Sequence, residues 1–207
     1  MTALLSAEPE VFHVKHPGWT GLILPGWQNS NPDHWQSFWE HQWGYLRVEQ
    51  ADWNKPLRGD WQIALEDCLL TLHDKHEQAH SGQPFQVVLI AHSLACHLVS
   101  TWAHFSRHTS WIKAAWLVAP PDLSRSNIPG ELSSWRQPIL EPLPFASHVV
   151  FSDNDPFCDE KAALGMAEAW GSSTHCKGGA GHLNADSGLG DWPAAHEALL
   201  EFVNALN

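Results

Sequence analysis

Two periods of apolar residues alternate along the chain. Short runs that are apolar at nearly every position are separated by longer stretches in which apolar residues recur three or four apart. The short runs "TGLILP" (20–25), "YLRVEQ" (45–50), "FQVVLIA" (85–91), "IKAAWLVA" (112–119), "SHVVFS" (147–152) and "STHCK" (173–177) predict six strands. The longer stretches predict helices over 31–43, 60–80, 94–107, 160–170 and 193–206. The first helix is assigned Asn31 as its N-cap and Pro32 as its first residue. The second is closed by Ser81-Gly82, with Pro84 beyond.

Strands that are apolar on both faces and alternate with helices predict a parallel sheet covered on both sides. The expected fold class is α/β: a three-layer sandwich of about six mainly parallel strands with helices on both faces. Residues 120–145 carry six prolines and no period. They read as a loop-like insertion at the C-terminal edge of the sheet, where α/β sites lie, and as too short for a large lid. The chain is read as one domain over 18–207, preceded by an extension over 1–17.

Composition narrows the chemistry. The 207 residues suffice for one substantial core, and a charged content of 16% with 43% hydrophobic residues describes a globular chain. A net charge of −12 disfavours nucleic acid, which needs clustered Lys and Arg, and anionic membranes as well. No apolar run approaches the roughly 20 residues of a membrane span. The start, "MTALLSAEPEVFHVKH", has neither a basic segment nor an apolar core of signal-peptide type. Cys68, Cys96, Cys158 and Cys176 form no C-x-x-C pair and read as reduced, mostly buried thiols. A cytoplasmic location is therefore expected. Thirteen Trp and fifteen His are unusual counts, and Trp35, Trp39 and Trp43 fall at helical spacing, as packing residues do.

Candidate chemistry begins at "VVLIAHSLACHLV", where a strand pattern passes into a helix pattern at Ser93. A tight strand-to-helix turn lifts a hydroxyl above the sheet edge and aims a helix N-terminus at what it attacks. The turn requires small residues two before and two after. The usual pair is glycine, and here both are alanine, Ala91 and Ala95. A nucleophilic serine needs a base and an orienting carboxylate, which in this fold class follow in the order Ser, acid, His. "SDNDPF" after the fifth strand supplies Asp153 and Asp155, and "GGAGHLN" after the sixth supplies His182. All lie at C-terminal strand ends, on one rim. The backbone N–H groups of Leu94 and, beyond Gly26, of Trp27 are the candidate oxyanion donors.

With these motifs in place, the sequence resembles the small serine hydrolases of the RBBP9/YdeN type within the α/β-hydrolase superfamily. The resemblance runs from about residue 21 to the C-terminus and rests on "LPGWQNSNPDHWQSFW", "VVLIAHSLAC", "SDNDPF" and "GAGHLN". It implies a triad of Ser93, Asp155 and His182, with Asp155 preferred to Asp153 because it precedes "PF". It also implies a compact six-stranded domain with almost no cap. Ala95 and the first 17 residues depart from the common pattern. The expected activity is hydrolysis of small esters, thioesters or amides through an acyl-enzyme, with a small-molecule acyl substrate as partner, no cofactor and no metal. Homo-oligomerisation is left open.

Two other readings compete. "HEQAH" (76–80) matches the H-E-x-x-H zinc pattern, but it lies in the last polar turns of a helix with little apolar cover. Histidines at a helix C-terminus also suit its dipole. His104 and His108 have the same bland reading. The alternative function is a protein-interaction module on a hydrolase fold, with an exposed Trp-rich surface as its binding patch.

Overall fold

The computed structural model describes residues 18–206; the extension read over 1–17, and residue 207, lie outside the described residues. Six parallel strands form one sheet: β1 (Thr20–Leu24), β2 (Leu46–Arg47), β3 (Val87–His92), β4 (Ile112–Val118), β5 (Ala146–Phe151) and β6 (Ser173–Cys176). Their order across the sheet is β2-β1-β3-β4-β5-β6. The helices are α1 (Trp35–Trp43), α2 (Arg58–His80), α3 (Leu94–Phe105), α4 (Glu160–Trp170) and α5 (Pro193–Asn204). This is the α/β sandwich expected, an open sheet with helices on both faces.

The central strand shows why. Every residue of β3 is buried. Val87, Leu89 and Ala91 face one core with α2, α3 and α4, while Val88 and Ile90 face the other with α1 and α5. Successive side chains of a strand point to opposite faces, so a run apolar at every position needs a cover on each side.

Two elements differ from the sequence reading by more than two residues at one end. Helix α1 starts at Trp35 with His34 as N-cap, not at Pro32 with Asn31. Asn31 instead closes a turn of its own: its Oδ1 accepts from Asp33 N–H and its carbonyl from His34 N–H. Asn side chains capture nearby backbone N–H groups in this way, in competition with helix. Strand β2 is only two residues long, an edge too short to recruit another sheet.

The tryptophans are internal. Nine of the thirteen are buried and Trp27, Trp43, Trp53 and Trp111 are half-buried, so the exposed Trp-rich surface required by the interaction-module reading is not there. Several bond outward from the core. Trp35 Nε1–H donates to Leu183 O, Trp39 to Asp191 O, Trp61 to Asp52 O, Trp135 to Pro56 O and Trp170 to Ile139 O. An indole buries a large apolar face and still carries one donor, so each fastens a loop to the core. The insertion over 120–145 is held this way. It contains a 3-10 helix (Gly130–Trp135), and Arg58 and Arg125 also bond across it, to Gln137 O and Pro156 O. It is a fixed wall on the sheet edge.

No helix among the described residues is long and apolar enough to cross a membrane. All four cysteines are free, but only Cys96 and Cys158 are buried; Cys68 is half-buried and Cys176 exposed.

Candidate active site

Ser93 sits between β3 and α3 with φ +56° and ψ −125°. A non-glycine residue there is strained by about 1–3 kcal/mol, which the surroundings must hold in place. Ser93 N–H donates to Val118 O at 2.8 Å, and Ser93 O accepts from Cys96 N–H at 2.9 Å. Ala91 and Ala95 are both fully buried, as a crowded turn requires. Across the turn lies Gly26: a Cβ built there would stand 2.8 Å from Ser93 Cβ and 2.9 Å from His92 O. The loop after β1 reaches the serine because residue 26 has no side chain.

Asp155 and His182 arrive from the other side of the sheet on loops that share anchors. Asn154 Oδ1 accepts from Gly181 N–H, and Ser152 Oγ accepts from Ala180 N–H and lies 2.6 Å from Gly178 O. The segment carrying Asp155 therefore holds the glycine-rich loop carrying His182. Trp35 fixes that loop again at Leu183 O, and His92 Nε2–H donates to the His182 carbonyl at 2.9 Å.

The three side chains form one hydrogen-bonded line. Ser93 Oγ–H donates to His182 Nε2 at 2.8 Å, and His182 Nδ1–H donates to Asp155 Oδ2 at 2.8 Å. The imidazole is 11% exposed and the carboxylate 3%. Asp155 Oδ1 accepts from Phe157 N–H at 2.8 Å, which fixes the carboxylate plane, and the Phe157 ring packs edge-on against His182. Asp153 is exposed and has no part in the line. The Trp27 and Leu94 amides bond to no other group among the described residues. Both residues line the cleft that holds Ser93 and His182, a space of about 470 Å³. Its apolar side is built by the insertion, through Leu123, Ile128 and Leu132.

Several residues at the site were not singled out in the sequence. His34 and His92 lie beside His182, with ring centroids 4.7 Å apart for the first two and 5.0 Å for His92 and His182. Burial, with smaller effects of Arg47 and His182, lowers His34 to about 3. Burial likewise holds His92 well below 6.5, and lowers His97 in α3 to about 4. Burial thus favours the neutral form of His34 and His92, the two imidazoles beside His182.

They also make the fold acid-sensitive. An imidazole whose folded pKa lies below its unfolded value binds fewer protons when folded. Below pH 6.5 the unfolded chain takes up protons that the folded chain refuses, so stability falls as pH drops and is flat above 6.5 for these groups. At pH 5 His34 and His97 each contribute a loss of up to about 2 kcal/mol. Urea unfolding at pH 7.5 and pH 5 is expected to show a clearly lower midpoint at pH 5. Equal midpoints would contradict the neutral assignment.

The rival zinc motif has a different setting. His76 and His80 stack on each other at the end of α2, and His76 Nε2 lies 3.1 Å from Gln83 O. No group of three or more His, Cys, Asp or Glu among the described residues is placed to hold a metal ion.

Comparison with known proteins bears on the family and the fold. A family model described as serine hydrolase matches residues 21–201. A YdeN-like hydrolase from Pectobacterium atrosepticum is 30% identical, with 91% of this chain and 92% of that chain covered and a TM-score of 0.69. The ydeN gene product of B. subtilis is 15% identical, with 90% and 99% covered and a TM-score of 0.66. A thermophilic esterase from Thermogutta terrifontis is 14% identical, with 91% and 90% covered and a TM-score of 0.60. No curated protein matches in sequence. A match of this extent, on a six-stranded α/β-hydrolase fold, shows that the chain belongs to the serine hydrolase family and is a hydrolase.

Proposed function

We propose that this hydrolase cleaves small esters, thioesters or amides through an acyl-enzyme on Ser93. The observation that carries the reading is the unbroken line from Ser93 Oγ through His182 to Asp155, with both contacts at 2.8 Å. Ser93 Oγ attacks the substrate carbonyl carbon while its proton passes to His182 Nε2. The carbonyl oxygen becomes an oxyanion and takes hydrogen bonds from Trp27 N–H and Leu94 N–H. Leu94 opens α3, so the helix N-terminus adds a favourable field. His182 Nε2–H then protonates the leaving alcohol, thiol or amine as the bond to carbon breaks. A water molecule attacks the acyl carbon, gives one proton to His182, and Ser93 recovers it as the acid departs. Asp155 keeps the Nδ1–H tautomer and stabilises the imidazolium in both halves.

Apart from the attacking water, these steps use side chains and backbone amides of the chain. Steady-state hydrolysis of p-nitrophenyl acetate tests the assignment. Ser93→Ala is expected to lower kcat by at least about 10⁴-fold. Prior dialysis against EDTA should leave the wild-type rate unchanged. Hydrolysis retained in Ser93→Ala, or lost to EDTA and restored by zinc, would overturn the proposal.

A further inference from the structure

The turn that presents the Trp27 amide is under strain. Gln28 and Asn29, two consecutive non-glycine residues, have φ of +68° and +66°. Left-handed conformations of this kind persist only where surrounding contacts over-determine them, and they cluster at functional sites. Gln28 N–H donates to Trp53 O and Trp27 Nε1–H to Asn54 O on one flank of the turn; on the other flank, at Asn29 and Ser30, one charged side chain supplies the tether.

Arg47, on the two-residue edge strand β2, reaches over the outside of the turn. Its Nη1 donates to Asn29 Oδ1 at 2.6 Å and to Ser30 O at 3.2 Å. Its Nη2 donates to Ser37 Oγ at 2.9 Å and to Glu40 Oε2 at 2.6 Å, and its Nε to the same Glu40 oxygen at 3.0 Å. The Arg47 side chain is only 10% exposed. A planar guanidinium gripped by a carboxylate on one edge offers fixed donors on the other. From beneath, Gln36 completes the hold. Its Oε1 accepts from Ser30 Oγ–H, and its Nε2–H₂ donates to Leu24 O and Ile90 O, near the ends of β1 and β3. Ser30 is thus tied to the guanidinium by its carbonyl and to the sheet by its hydroxyl.

We propose that Arg47 is a positioning residue for the oxyanion hole: it clamps the strained turn over 26–30 so that Trp27 N–H converges with Leu94 N–H on one point. The proposal rests on the reading of those two amides as oxyanion donors. Arg47 touches no substrate. Its effect is felt in the transition state, where charge develops on the oxygen, and hardly at all in ground-state binding.

Arg47→Lys keeps the charge and removes the fork. It is expected to lower kcat by about 30-fold per folded molecule, with KM changed by less than about threefold. Inhibition by butylboronic acid, which adds to a serine nucleophile and places a boronate oxygen where the oxyanion forms, should weaken in parallel with kcat/KM. Asn29→Gly provides the second variant. Glycine accepts the left-handed conformation without strain, which offsets part of what is lost with the Asn29 amide, the bonds from Arg47 and from Ser30 N–H, so the thermal midpoint should stay near that of the wild type while kcat falls by about fivefold or more. A merely structural contact would lower stability and leave kcat per folded molecule alone. Should Arg47→Lys fail to fold, Asn29→Gly decides. Wild-type kcat in Asn29→Gly and any folded Arg47→Lys, or an effect on KM alone, overturns the proposal. Ser93→Ala is measured alongside. An inactive Ser93→Ala with unaffected Arg47 and Asn29 variants sinks only the clamp, whereas a fully active Ser93→Ala removes the nucleophile reading and the clamp together.

Discussion

Replacing Asp155 by Asn is expected to lower turnover by up to ~10⁴-fold while leaving the fold intact. The Asp155 carboxylate accepts from His182 Nδ1–H through one oxygen and from Phe157 N–H through the other. An amide is nearly isosteric. It can keep the bond from Phe157 with its oxygen, but it then turns an NH₂ group toward His182. The imidazole answers by moving its proton to Nε2, where it no longer accepts from Ser93 Oγ–H. The base is lost without any loss of packing. Asp153, two residues earlier, is exposed, and Asp153→Asn should stay within a few-fold of wild type. Kinetics of both variants on one p-nitrophenyl ester check the pair. The reverse ranking would reassign the acid.

The second large effect is expected at Gly26. Gly26→Ala puts a methyl group 2.8 Å from Ser93 Cβ and 2.9 Å from His92 O, closer than real Cβ contacts come. Neither neighbour is the free end of a flexible side chain, so relief requires the turn at 26 and the turn at 93 to separate. That separation pulls Trp27 N–H away from Leu94 N–H. Loss of one oxyanion donor costs about 10²–10³-fold in kcat, and Gly26→Ala is expected within or beyond that range. Thermal unfolding should move much less than activity, because the crowding lies at a loop and not in either core. Wild-type kinetics in Gly26→Ala would mean that the loop after β1 has no part in the oxyanion site.

Much of this was legible in the sequence because it is written locally. An unbroken apolar run such as "VVLIA" is a buried parallel strand wherever helices flank it. Ser93 between small residues at the end of such a run, followed in order by Asp155 and His182 after later strands, places all three on one rim. What stayed hidden depends on residues far apart in the chain. Nothing in "YLRVEQ" marks Arg47, whose partners lie 7 to 18 residues upstream on a turn and a helix. Gln36 is a polar residue in a Trp-rich helix, and only the sheet beneath shows that its amide caps two strand ends. The N-cap of α1 is not legible in the sequence because two candidates compete locally. Asn31 satisfies its own turn, and His34, a weaker capping type, takes the helix. The tryptophans form no exposed patch for a physical reason too: indoles that donate to loop carbonyls are drawn inside with those loops.

The central claim is that Ser93 is a nucleophile activated by His182. Labelling with a fluorophosphonate probe, followed by mapping of the modified peptide, tests it most directly. Phosphonylation needs an activated serine and an accessible cleft, and it does not need the natural substrate. The wild-type protein is expected to carry one adduct, on Ser93, with labelling abolished in Ser93→Ala and strongly slowed in Asp155→Asn. An adduct on a different serine, or labelling that survives Ser93→Ala, would contradict the account.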